Sequence, residues 1–221
     1  MPSIRSYFKR QSYALDELDL KLRPYIKFNN GMFIEAGANN GMSQSNTLYF
    51  EKYMGWRGVL IEAIPALAEK CRQNRPKCIV ENCALIAADF PEEYVEMNYC
   101  NLMSLVKGSL NSDEDEQKHL QSGRRCLADG DDTYSVIVPA RTLSDVLDKH
   151  HIQHIDLFSL DVEGCEAQVL QGIDFDRHWI EYMLIEVHGR DEVEAVIGHL
   201  YKPVSILNIE ESYSDILYRR R

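Results

Sequence analysis

Short, almost wholly apolar runs alternate with helix-patterned stretches along most of the chain, and this alternation restricts its folds more than any other feature. Met32–Ala36 (MFIEA), Gly58–Glu62 (GVLIE), Cys78–Asn82 (CIVEN), Ile155–Asp161 (IDLFSLD) and Tyr182–Val187 (YMLIEV) read as strands. Ser43–Tyr53, Pro65–Asn74 with its leading proline, Arg141–His150, Cys165–Gln171 stopping at Gly172, and Asp191–Leu200 read as helices. Strands that are apolar on both faces and separated by helices belong to a parallel sheet covered on two sides. The end of the chain departs from this rule. Val204–Ile209 and Asp215–Arg219 are joined only by the ESYS turn, which leaves no room for a helix, so the last pair is an antiparallel hairpin. The expected fold is one doubly wound, Rossmann-like α/β domain with a mostly parallel seven-stranded sheet and an antiparallel C-terminal hairpin.

Two regions fall outside the alternation. Residues 1–31 are expected to form an N-terminal helical extension on the sheet or at the mouth of a site, with the main domain spanning 32–221. Within that domain, 94–132 is a variable insert: Tyr94–Tyr99 and Ser104–Lys107 suit a small hairpin. Asn111–Asp132 is charge-dense and reads as a solvated loop or exposed helix, or as a lid over substrate.

Charge narrows the partners. Twenty-four Lys and Arg against 35 Asp and Glu give a net charge of −11, which argues against a phosphate-tracking surface and so against nucleic acid. No apolar run approaches the ~20 residues that span a bilayer, and the N-terminus shows no signal-peptide core, so no membrane partner is expected. The six cysteines are scattered without a C-x-x-C pair, the pattern of reduced thiols in a cytoplasmic protein.

The strongest chemical signal is Phe33–Gly41 (FIEAGANNG), where a strand enters a glycine turn and then a helix. Open α/β sheets bind nucleotide-like ligands at this kind of turn. A dinucleotide fingerprint counted from Gly37 would need glycines where Asn39 and Met42 stand, and the phosphate-cradling G-x-x-x-x-G-K-[ST] is absent. What remains is Glu35-x-Gly37-x-x-x-Gly41. An acid beside the loop repels a pyrophosphate but favours a ligand bearing an ammonium and a sulfonium. Glu62, 62 − 41 = 21 residues after the last glycine, ends the second strand where it can accept from both ribose hydroxyls. Together these residues suit S-adenosylmethionine better than NAD.

With those residues in view, FIEAGANNGMSQSNTLYFEKYMGWRGVLIEAIP and IDLFSLDVEGCEAQVLQGIDF resemble the FkbM family of S-adenosylmethionine-dependent methyltransferases, from about Met32 to Val187. The resemblance implies a class I methyltransferase fold, with cofactor contacts at Glu35, Gly37, Ala38, Asn39, Asn40, Gly41 and Ser45. It places Glu62 and Ala63 at the ribose and Asn82, Cys83 and Ala84 at the adenine. Asp161, Val162 and Glu163 would lie along the cofactor's reactive side. Asn40 stands where many relatives carry Asp, a change that tunes the loop's hydrogen bonding.

Methyl transfer needs a nucleophile aligned with the methyl group and, for a hydroxyl, a group that removes its proton. Asp161 and Glu163 leave one strand and Glu186 and His188 leave the next, each pair sharing a face if extended; adjacent strands lie ~4.8 Å apart. Two readings stay open. His188 is a general base oriented by Asp161 or Glu186, or Asp161, Glu186 and His188, with Glu163, hold Mg²⁺ or Mn²⁺ that acidifies the acceptor hydroxyl. Glu163 has a plainer alternative, capping the helix that follows Gly164. The family resemblance suggests O-methylation of a small molecule such as a sugar or glycosylated metabolite. The rivals are a protein that binds the cofactor without transferring, and a methyltransferase for another acceptor. A domain this small is also one that can complete its pocket from a second copy, so a homo-oligomer is an open expectation.

Overall fold

The computed structural model describes residues 11–100, 105–106 and 133–221. Its main sheet has seven strands in the order β10-β11-β9-β8-β1-β2-β3. These are β1 (Met32–Ala36), β2 (Arg57–Ile61), β3 (Ile79–Glu81), β8 (His154–Leu160), β9 (Trp179–Val187), β10 (Tyr201–Ile209) and β11 (Ser214–Arg220). β1, β2, β3, β8 and β9 pair in parallel. β11 is antiparallel to both β9 and β10, so the C-terminal hairpin does not simply extend the sheet: its second arm slides between β9 and the first arm.

Alternation along the strands divides the core between the two faces. Ile34, Val59, Phe158, Leu160 and Ile185 pack on one side under α4 (Leu143–Lys149), α5 (Glu166–Gln171) and α6 (Arg190–Ile197). Phe33, Leu60, Leu157 and Leu184 pack on the other, under α1 (Leu18–Lys21), α2 (Leu48–Met54) and α3 (Pro65–Asn74). Each such aliphatic side chain contributes about 1.5–3 kcal/mol by leaving water. No described helix is long and apolar enough to cross a membrane.

Several boundaries differ from the sequence expectation, each for a local reason. The helix expected from Ser43 starts only at Leu48, because Gln44 is left-handed (φ 57°) and residues 45–47 turn their donors toward Glu35. The helix expected from Arg141 starts at Leu143: Arg141 is still in strand, and Thr142 caps with Asp145 in a reciprocal box. β9 and β10 begin three residues earlier than expected.

The hairpin expected near residue 100 forms, with β5 (Tyr94–Tyr99) antiparallel to β6 (Leu105–Val106), but it belongs to a second sheet ordered β4-β7-β5-β6. Its other strands, β4 (Ala84–Leu85) and β7 (Tyr134–Arg141), were not foreseen. The Asn111–Asp132 segment, expected as a solvated loop, an exposed helix or a lid, lies outside the described residues. Of the N-terminal helical extension, the described part forms a 3₁₀ turn (Leu15–Glu17) and the single turn of α1. Lys21 donates to the Leu207 carbonyl and Asn208 to Asp16, which fastens this segment to β10.

Candidate functional site

The chain runs β1, β2, β3 in one direction across the sheet and β8, β9 in the other, so the order reverses between β1 and β8. In open α/β sheets the ligand crevice lies at that reversal, beyond the carboxyl ends of the strands. Gly37 and Gly41 make the turn there with φ of 80° and 78°. A Cβ on Gly37 would sit 1.9 Å from the Asp161 carbonyl oxygen, so no other residue lets β1 and β8 approach this closely.

Every backbone N–H from residue 37 to residue 43 is already engaged. Gly37 and Ala38 donate to the Ile61 carbonyl, Asn39 to Glu62 Oε2 (2.8 Å), Asn40 to Asn39 Oδ1, Gly41 to the Ala38 carbonyl, and Met42 and Ser43 to Asn40 Oδ1. A phosphate-binding turn must present free N–H groups to its ligand. This turn presents none, which independently supports the exclusion of a dinucleotide by glycine spacing. Asn40 performs the capping through its side-chain oxygen and adds a bond from Nδ2 to Ser43 Oγ (2.9 Å).

Glu35 differs from expectation. Rather than offering a free charge to a ligand, its Oε2 accepts from Ser45 Oγ (2.9 Å) and Thr47 Oγ1 (2.6 Å), and its Oε1 from the Asn46 N–H (2.8 Å). Its charge is offset by Arg75, whose side chain is fully buried and whose Nη1 lies 3.5 Å from Oε2. The same guanidinium pairs with Glu51 and donates to the Gly41 carbonyl (3.1 Å), Ser45 Oγ (3.2 Å) and Thr47 Oγ1 (3.2 Å). Glu35 and Ser45 are thus spent on holding the turn. Arg75 was missed because nothing in the NRPK stretch distinguishes it from a surface cation.

Glu62 stands where expected, just past β2. It accepts from Asn39 N–H and Ile64 N–H, each at 2.8 Å. Two bonds leave a carboxylate with unused lone pairs. Burial pushes its pKa up to about 7, against the pull of the backbone N–H groups of Ile64, Asn39 and Ala63. Asn82 Nδ2 clamps the Glu62 and Ala63 carbonyls at 2.9 and 2.7 Å. Cys83 and Ala84 are buried at the start of β4, the Cys83 thiol pushed up to about 12 by burial.

The acceptor-side residues also converge, by a route other than strand alternation. β8 ends at Leu160, Asp161 donates its N–H to the Ala36 carbonyl, and Glu163 is left-handed (φ 53°), so the backbone turns between the two acids. Val162, partly buried against the core, spans that turn. His188 Nδ1 lies 3.4 Å from Glu166 Oε1 and its Nε2 3.8 Å from Glu186 Oε1. The carboxylate nearest His188 is therefore Glu166 rather than Asp161; Glu166 also accepts the Gly164 N–H, so it, not Glu163, caps the turn. Tyr213 from the β10–β11 turn lies against the imidazole, ring centroids 5.8 Å apart.

Burial and mutual repulsion raise Asp161, Glu163 and Glu186. Asp161 is pushed up to about 7 by desolvation and by Glu166 and Asp215, and Glu163 to about 8 by desolvation and Asp161. Glu186 is driven well up by burial, Asp161 and Glu163. Burial lowers His188, but the Glu166 hydrogen bond and charge outweigh it and raise the imidazole. For a cation, the donor atoms that converge, all within 4.8 Å of one another, belong to Glu163, Glu186 and His188. Glu163 takes the place the sequence reading gave to Asp161.

Compared with known families, the chain matches the Methyltransferase FkbM domain over residues 35–214. No curated protein matches its sequence. Among solved structures it is similar to methyltransferase FkbM from Methylobacillus flagellatus KT, at 12% identity and a TM-score of 0.50. That match covers 89% of this chain and 45% of the other. A TehB-like SAM-dependent methyltransferase from Corynebacterium glutamicum gives 10% identity and a TM-score of 0.47, covering 92% and 88%. Aeropyrum pernix fibrillarin with natively bound S-adenosyl-L-methionine gives 9% and 0.48, covering 86% and 67%. A family match over most of its length, on a doubly wound sheet with a glycine turn at the reversal point, places this chain in the FkbM methyltransferase family.

Proposed function

We propose that the protein transfers a methyl group from S-adenosylmethionine to a hydroxyl of a small molecule, most naturally a sugar or glycosylated metabolite. The observation that carries the cofactor half is the pairing of a turn with no N–H left for a phosphate with a buried carboxylate, Glu62, that retains acceptor capacity. This set fits a ribose joined to a group without phosphates. When bound, S-adenosylmethionine supplies a methyl group already activated by its sulfonium. Glu62 holds the ribose hydroxyls; Ala38, Asn39 and Ala63 line that end, and Asn82, Cys83 and Ala84 border the base.

His188 takes the proton from the attacking hydroxyl. Glu166 against its Nδ1 fixes the ring and stabilises the imidazolium that forms. Asp161 and Glu186 border the same place. The convergence of Glu163, Glu186 and His188 favours a second reading, in which Mg²⁺ or Mn²⁺ held there acidifies the acceptor. The thiols of Cys71, Cys78 and Cys83, outside any disulfide, support a cytoplasmic setting.

The test of the cofactor is a calorimetric titration with S-adenosylhomocysteine and, separately, with NAD. Micromolar binding of the first and none of the second is expected; the reverse order overturns the reading. Methyl-labelled cofactor incubated with hydroxyl and amine acceptors then tests the acceptor, label on amines alone contradicting O-methylation. Transfer that survives exhaustive chelation removes the metal version.

A further inference from the structure

Among the described residues, one polar atom at the β1–β8 seam has no hydrogen-bond partner. The Asn46 N–H donates to Glu35 Oε1 (2.8 Å) and its Nδ2 to Ser159 Oγ (3.1 Å), yet its side-chain oxygen Oδ1 is shielded from water and has no partner. Buried acceptors are nearly always paired, and leaving one unpaired opposes folding, so the exception calls for a cause.

Its position supplies one. Glu35 and Ser159 are register partners across β1 and β8, the two strands between which the sheet order reverses, and Asn46 bridges them. Glu62, at the end of β2, takes the ribose. A ligand lying from β2 across β1 therefore carries its other end to β8 and to Asn46. In S-adenosylmethionine that end bears a carboxylate, which only accepts hydrogen bonds, a sulfonium, which donates none, and an ammonium, which only donates. An orphaned acceptor matches the ammonium. Glu35, the acid first suggested for that role, already receives Ser45, Asn46 and Thr47 and is neutralised by Arg75.

We infer that Asn46 is a cofactor-binding residue whose side-chain oxygen accepts from the α-ammonium of S-adenosylmethionine; this rests on the cofactor assignment above. Reaching the shielded oxygen takes a small rotation of the amide. The Ser159 hydroxyl, free to turn, can follow it and keep the Nδ2 bond. The amide thus senses the occupied end of the cofactor from the strand that leads to Asp161.

Three ligands separate this role from a structural one: S-adenosylhomocysteine, its deaminated analogue, and methylthioadenosine, which lacks the amino-acid moiety altogether. By calorimetry, Asn46→Ala loses roughly ten- to a hundred-fold in affinity for S-adenosylhomocysteine, the range for a hydrogen bond to a charged group. It binds methylthioadenosine and the deaminated analogue as the unaltered protein does. Asn46→Asp, which keeps an acceptor, retains the preference for the aminated ligand. Equal binding of S-adenosylhomocysteine by Asn46→Ala and the unaltered protein overturns the proposal, as does equal weakening of all three ligands. Should Asn46→Ala not fold, loss of the amine preference in Asn46→Asp overturns it. If the unaltered protein binds none of the three, the cofactor assignment itself falls, and this inference with it.

Discussion

The two ends of the site are built on opposite electrostatic plans. At the tips of β1 and β2, each acid has been given partners in advance: Glu35 receives three donors and a buried guanidinium, and Glu62 two backbone N–H groups. At the tips of β8 and β9, burial and mutual repulsion raise the pKa values of Asp161, Glu163 and Glu186, and the His188 imidazole beside them pulls Asp161 and Glu163 the other way. In the first region the acids are partnered before a ligand arrives, which suits a ligand that never changes. The second stores unfavourable charge that is relieved when a proton or cation enters, which suits a step that releases a proton.

The sharpest way to break this contrast is to remove Arg75. Arg75→Met leaves the buried Glu35 and the half-buried Glu51 without their cation, and breaking a buried pair from one side costs about 3–5 kcal/mol. Thermal unfolding should show that loss, and Glu35→Gln/Arg75→Met should recover part of it; a single variant as stable as the unaltered protein would refute the prepaired plan.

His188→Ala tests the other end. Turnover with an acceptor should fall by about 10²–10⁴-fold, the usual worth of a positioned base, while S-adenosylhomocysteine affinity stays within about twofold. A parallel loss of cofactor binding would show that the two ends are not separable.

A smaller effect comes from Glu62. Its folded pKa of about 7 exceeds the ordinary carboxylate value of 4.5, so between them the folded chain holds a proton that the unfolded chain has released. Stability from this group is full below about pH 4.5 and is lost as the pH rises toward 7, by up to about 3 kcal/mol. The unliganded midpoint should fall across that window, and Glu62→Gln should flatten the slope; an unchanged slope would contradict the assignment. Smallest is Asn40→Ala, which removes the cap on the Met42 and Ser43 N–H groups and should cost about 1 kcal/mol in unfolding free energy.

The central sheet could be read from the sequence because its strands are continuous apolar runs, a pattern set by burial on both faces. β7 could not: YSVIVPAR mixes polar and apolar residues around a proline, and becomes a strand by pairing with β5 across the insert. The glycine turn and Glu62 were readable because spacing along the chain fixes where they sit. What Glu35 accepts from was not, since a carboxylate's identity does not reveal its donors. Arg75 and Glu166 act through contacts made by distant segments, with Gly41, Glu51 and His188, and no local pattern marks such contacts.

The account turns on Glu62 serving the cofactor and His188 serving the acceptor. Titration of S-adenosylhomocysteine into Glu62→Ala and His188→Ala, each beside the unaltered protein, tests that division directly. The account predicts micromolar binding to the unaltered protein and to His188→Ala, and at least about tenfold weaker binding to Glu62→Ala, as expected for lost hydrogen bonds to a charged group. Equal binding to all three, or a loss confined to His188→Ala, would contradict it.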